Sequence, residues 1–77
     1  ETHVYDPWIS SQDVELTKNV SLVDYPSSDF YDCIILAVAH DEFSKLGISK
    51  IRSFGKKQSI IYDLKYMFSA EDTDLRL

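Results

Sequence analysis

The run from Asp32 to His40, Asp-Cys-Ile-Ile-Leu-Ala-Val-Ala-His, sets the tightest limit on what this chain can fold into. It is apolar from Cys33 to Ala39 without alternation. A strand of that kind asks for cover on both faces, the condition met in the middle of a parallel sheet flanked by helices. The run is too short for a bilayer, which needs about 20 apolar residues. Its Ile-Ile and Val content and its abrupt polar boundaries favour a strand over a buried helix. Residues 32–39 are therefore expected to form the central, doubly covered strand of an open α/β sheet.

The flanking chain fits that frame. Residues 2–6 alternate in β-prone side chains and stop at Pro7, which has no amide proton for a ladder. Ser10 ahead of Asp13 and Glu15 predicts a short capped helix over residues 10–16. Residues 20–23 predict a short strand, and Pro26-Ser27-Ser28-Asp29 is turn chemistry leading into the central run. Asp41-Glu42-Phe43-Ser44-Lys45-Leu46 carries acids first and lysine last, as the helix dipole favours, with Gly47 as its stop. Residues 48–54 form a second helical segment with Ile48, Ile51 and Phe54 facing inward, ended by Gly55; residues 59–64 then form a second buried strand, and residues 75–77 a docked tail. The order predicts βαβ architecture with right-handed crossovers.

At 77 residues the chain forms one domain at most. A domain this short buries only about 60% of its unfolded surface. Thirteen acidic against eight basic residues, a net charge of −5, argue against nucleic acid or an anionic membrane as partner, since both need a concentrated basic face. The basic doublet Lys56-Lys57, beside Gly55, reads as a solvated turn. A single cysteine excludes an internal disulfide framework and fits a reducing compartment. The first residues lack the basic start and apolar core of a signal peptide, and the absence of an initiator Met reads as a piece of a longer chain.

Chemistry-bearing residues are few. Cys33, inside the central run, reads as a small buried hydrophobe, and His3 as a strand surface residue. His3 and His40 have no metal-ligand spacing around them. Neither Gly47 nor Gly55 belongs to a Gly-x-Gly-x-x-Gly turn, so no dinucleotide fingerprint is present. Asp6, His40, Asp63 and Lys65 stand at strand ends and are expected to gather along the carboxyl edge, where open α/β sheets bind ligands. Lys65 is the cation there that could meet a phosphate.

Three motifs in order then resemble something more specific: Tyr5-Asp6-Pro7, residues 31–43 with Ala39-His40-Asp41-Glu42-Phe43, and residues 60–66 with Asp63-Leu64-Lys65-Tyr66. Together, and nearly across the whole chain, they resemble the carboxyl-terminal, UDP-binding domain of the UDP-glucose/GDP-mannose dehydrogenase family. The forms are similar to the branch that oxidises UDP-N-acetylhexosamines for bacterial capsule and surface polysaccharides. The resemblance implies a three-layer Rossmann-like, mostly parallel sheet with short helices, truncated at its amino-terminal side, so that residues 1–77 are one partial domain. It implies a cytoplasmic bacterial parent, itself a homo-oligomer, with NAD on an absent amino-terminal domain and no cofactor on this chain.

It also implies that the parent oxidises the sugar's C6 alcohol twice, to a carboxylate, through a cysteine in an upstream Gly-Phe-Gly-Gly-x-Cys-like stretch. That stretch is missing, so Cys33 does not inherit the role and the fragment alone is expected to be inactive. Lys65 matches the family's basic residue near the bound UDP, with Asp63 and Tyr66 as supports and His40 at the site's edge. The family's first strand and its Phe-Lys-x-x-x-x-Asp-x-Arg-like segment are also missing. Either residues 2–6 close the gap by pairing directly with residues 32–39, which is the arrangement expected, or another chain fills the space. A rival reading is a small flavodoxin-like interaction module that binds a protein through Trp8, Phe30, Tyr31 and Phe68 and has no nucleotide site.

Overall fold

Acids first, a base last and a glycine behind place the first helix where the sequence puts it, and the second follows between two glycines with a base in its last turn. In α1 (Asp41–Leu46), Asp41 and Glu42 occupy the first turn and Lys45 the last. Gly47, at φ +82°, ends α1 and opens α2 (Ile48–Phe54). That left-handed backbone is one a side chain would strain. Ile51 and Phe54, three apart on one face of α2, are both buried.

The computed structural model describes residues 1–8 and 19–76; the helix expected over residues 10–16, and Leu77, lie outside them. The strands are β1 (Thr2–Val4), β2 (Val20–Leu22), β3 (Tyr31–Leu36), β4 (Gly55–Asp63) and β5 (Leu75–Arg76). Every pairing among them is parallel: β1 with β2 in one sheet, and β3-β4-β5 in another. Short helices on parallel strands make this the α/β, Rossmann-like class that the residues imply. The tail docks as β5, with Leu75 opposite Tyr62 and Arg76 opposite Asp63.

The direct pairing expected between residues 2–6 and residues 32–39 does not occur. β1 bonds to β2, and among the described residues no strand pairs with the second edge of β3. Side chains bridge the interval instead. His3 Nδ1 lies 2.8 Å from the Tyr31 hydroxyl, the Tyr5 ring 5.8 Å from Phe43, and Asp6 Oδ1 3.2 Å from His40 Nε2. Aromatic rings do not fit between strands at the ladder spacing of about 4.8 Å, so they hold the two edges apart. Because His3 sits by the start of β3 and Asp6 by the chain beyond its end, the two strands run the same way. His3 is thus half-buried, not the surface residue expected.

Three further expectations fail for related reasons. The central strand ends at Leu36, short of Ala39, and is covered unevenly. Leu36 is buried, but Cys33 is exposed and Ile35 is 59% exposed, because the packing of α2 leaves the opposite side of β3 open among the described residues. Nor is Lys56-Lys57 a turn, since β4 begins at Gly55 and carries both lysines. Two steps along β3, from Tyr31 to Cys33, are matched by five along β4, from Gly55 to Ile60. The surplus bulges outward and folds Ser59 back on Gly55, where a Cβ would collide with it. Lys56 reaches Asp32 at 3.1 Å, an exposed pair of little energetic weight.

The core is Leu36, Ile51, Phe54 and Ile61, with Ile34, Phe43, Leu46 and Met67 packed around it. A polar link closes its far side. Arg52 of α2 donates to the Asp72 carbonyl at 2.8 Å and to Asp74 at 3.3 Å, while Asp74 accepts the Ile61 amide at 2.8 Å. Ile61 and its neighbour Ile60 separate the two environments of β4, since Ile61 is wholly buried and Ile60 is 43% exposed. Ile61→Ala should cost about 3 kcal/mol, and Ile60→Ala under about 0.5 kcal/mol. Urea unfolding followed by tryptophan fluorescence measures both.

Candidate functional site

Strands β3 and β4 finish level with each other. Leu36 lies opposite Asp63, and the Leu64 amide donates to the Leu36 carbonyl at 3.1 Å. The chain beyond each strand therefore emerges on the same edge, the carboxyl edge where parallel α/β sheets hold ligands.

Asp63 shapes what emerges. Its carboxylate is fully buried; Oδ1 accepts the amides of Lys65 at 3.2 Å and Met67 at 3.1 Å, and Oδ2 accepts that of Phe68 at 2.9 Å. Burial by itself raises the carboxyl pKa, but these three bonds, helped by the nearby Arg76 charge, outweigh it and hold Asp63 below the ordinary carboxylate range. Both oxygens are engaged within the fold. Asp63 thus fixes the backbone of the loop that follows it.

That loop presents Lys65 and Tyr66 outward. Tyr66 has φ +54°, a rare left-handed value for a side-chain-bearing residue, and the Arg76 guanidinium lies over its ring at 3.9 Å. Arg76 escapes sequence reasoning altogether. Only the parallel pairing of β5 carries a residue thirteen positions beyond Asp63 back beside it; a lone arginine in a polar tail gives no signal of this.

The second group on the edge is His40 with Asp6 and Trp8. His40 is buried, its ring 4.3 Å from that of Trp8 and 5.3 Å from that of Phe43. Its Nε2 stands 3.2 Å from Asp6 Oδ1 yet makes no hydrogen bond, because the approach is misaligned. Asp6 Oδ1 instead accepts the Trp8 amide at 2.9 Å, closing the turn around Pro7. Nearby, burial and then the Glu42 carboxylate push the Tyr5 phenol above its usual range. Of the four residues expected to gather, the structure joins Asp6 to His40 and Asp63 to Lys65, as two separate groups. Trp8, 73% exposed, belongs to the first.

Among the described residues, no three His, Cys, Asp or Glu side chains are close enough to share a metal ion, and no helix is long and apolar enough to cross a membrane. Gly47 joins two helices and Gly55 starts a bulged strand, so neither forms the strand-to-helix turn that seats a dinucleotide pyrophosphate. The residues present do not fit NAD.

A parallel sheet whose carboxyl edge carries a constrained, lysine-bearing loop is the framework of a nucleotide-binding domain. The comparisons agree: residues 1–70 match the family model of the UDP-glucose/GDP-mannose dehydrogenase family, UDP binding domain. The chain belongs to that family. It is 44% identical over 77 residues, all of this chain and 18% of the relative, to UDP-N-acetyl-D-glucosamine 6-dehydrogenase of Pseudomonas aeruginosa. It is 40% identical over 74 residues, 96% of this chain and 17% of the relative, to the enzyme of the same name from Salmonella typhi. The chain spans less than a fifth of the length of these curated relatives. No solved structure gives a significant match. The flavodoxin-like interaction module finds no support in these matches.

Two hydrogen-bonded carboxylates, the buried Asp63 and the exposed Asp74, carry a pH signature. Asp74, like Asp63, is held below the usual range, in its case first by the Ile61 amide and also by Arg52, against a smaller burial cost. A depressed folded-state pKa stabilises the fold above the unfolded value, about 3.9, and that contribution is lost as pH falls through the lower folded value. The urea midpoint should hold nearly level from about pH 7 to 5 and fall below about pH 4. Asp63→Asn, which replaces an accepting oxygen with a donor, should cost about 2 kcal/mol at neutral pH and flatten that acid limb.

Proposed function

We propose that this chain is the partial domain of an NAD-dependent UDP-N-acetylhexosamine 6-dehydrogenase that holds the UDP portion of the substrate. The observation that carries the reading is the Asp63-constrained loop, which fixes the backbone of Lys65 at the carboxyl edge while leaving its ammonium in solvent. On a chain of net charge −5, a diphosphate needs such a local cation. Lys65 would meet the phosphate charge, Tyr66 would line the same loop, and Asp63 would hold both in place from beneath. His40 would border the site across the edge.

In this reading the parent enzyme oxidises the C6 hydroxyl of the sugar to a carboxylate. NAD and the nucleophilic cysteine belong to parts of the parent outside this chain. The parent is a cytoplasmic, homo-oligomeric bacterial enzyme that supplies uronic acid sugars for capsule and surface polysaccharide. The family match and the shared name of both relatives support this assignment.

A proton-nitrogen NMR titration of the chain with UDP tests it. Shifts should cluster at residues 64–68 and His40, and Lys65→Ala should weaken binding about tenfold, the equivalent of about 1.4 kcal/mol. Added salt should weaken it as well, since Lys65 is exposed. Absence of shifts at millimolar UDP would move the nucleotide contacts off this chain. Reduction of NAD by the isolated chain with UDP-N-acetylglucosamine would overturn its assignment as an inactive part.

A further inference from the structure

Arg76 is held by two groups of the Lys65 loop. On β5 it lies opposite Asp63, and its guanidinium covers the Tyr66 ring at 3.9 Å from the ring centre. The side chain is half-buried, and its buried Nε makes no hydrogen bond among the described residues. Charge and ring contacts, in place of that bond, compensate a guanidinium taken partly out of water. Asp63 supplies the charge: against burial, which raises its carboxyl pKa, the nearby Arg76 joins the three amide bonds in lowering it. Tyr66 supplies the ring.

The consequence falls on Lys65. Asp63 bonds the amides of Lys65, Met67 and Phe68, which lie on both sides of Tyr66 and bend the loop from beneath. Tyr66 sits at the bend with φ +54°, a conformation that a side-chain-bearing residue keeps only where its surroundings hold it. Its ring is 56% exposed, and the guanidinium across its face holds it on that side. A turn of Tyr66 to right-handed backbone would rotate the chain at the peptide between Lys65 and Tyr66 and carry the Lys65 ammonium to a new place.

We propose that Arg76 is a positioning residue for the Lys65 loop. Anchored beside Asp63, it clamps the Tyr66 ring, keeps that residue in left-handed backbone and so fixes where the Lys65 ammonium stands. It acts on a phosphate through Lys65 and does not touch the ligand. The phosphate consequence rests on the nucleotide reading; the clamp on Tyr66 does not.

NMR of the full chain tests both. The intraresidue amide-to-α-proton NOE of Tyr66 is strong in left-handed backbone and weak in right-handed, and slow amide exchange at the buried Ile61 reports that the chain is folded. Arg76→Ala should weaken that NOE and lower UDP affinity about tenfold. Arg76→Lys, which returns a cation without the flat face, should bind UDP less than about threefold more weakly than the unaltered chain. Because Arg76 acts through Lys65, adding Arg76→Ala to Lys65→Ala should weaken binding by no more than about threefold further.

A further tenfold loss in the double variant would make Arg76 a ligand contact in its own right and overturn the proposal. An unchanged Tyr66 NOE in Arg76→Ala, with Ile61 still slow to exchange, would overturn it too. Arg76→Leu, which keeps the apolar stem, should reproduce the NOE and affinity changes and decides the matter if Arg76→Ala loses protection at Ile61. Absence of UDP shifts in the unaltered chain would count against the nucleotide reading alone, and the Tyr66 NOE would then decide the clamp by itself.

Discussion

The carboxylate of Asp63 is the interaction on which the carboxyl edge depends. It ends β4, lies wholly inside the protein and satisfies three amides of the following loop. A buried charge is tolerated only where hydrogen bonds replace its lost hydration. Here the replacements are backbone donors of one short segment, so the same bonds that accommodate the charge fix that segment's shape. Lys65, the positive φ of Tyr66 and the stacking of Arg76 on Tyr66 all follow from that loop geometry.

The two-sheet arrangement shows how little core a chain of this size commands. Among the described residues, four make up its buried apolar centre, and all four come from β3, α2 and β4. The β1–β2 pair is attached mainly through His3, Tyr5 and Asp6 to Tyr31, Phe43 and His40. Such contacts orient one sheet against the other but leave each with an unpaired inner edge among the described residues. Ile35, on the face of β3 that α2 does not cover, stands in solvent.

Local features were legible where local physics decides them. The bounds of α1 follow from its charge order and from Gly47, which also opens α2. Periodicity was a weaker guide for β3: an unbroken apolar run states that cover is wanted, not that this chain supplies it. Cys33 and Ile35 were read as buried on that ground and are exposed. The lysine doublet misled for another reason. A charged pair beside glycine suits a turn, but it equally suits a bulged edge of a strand whose side chains face water.

By itself the sequence determined the helices and their stops, the parallel α/β class, the family, and the position of Lys65 just past a buried strand. These depend on residues close together in the chain, or on motifs whose order is itself the signal. Tertiary structure alone decided that β1 and β3 face each other without bonding, that Asp63 turns inward while Lys65 turns outward, and that Arg76 returns to the site. Each is set by long-range register, and register depends on which edges and rings meet in space, which no local pattern encodes.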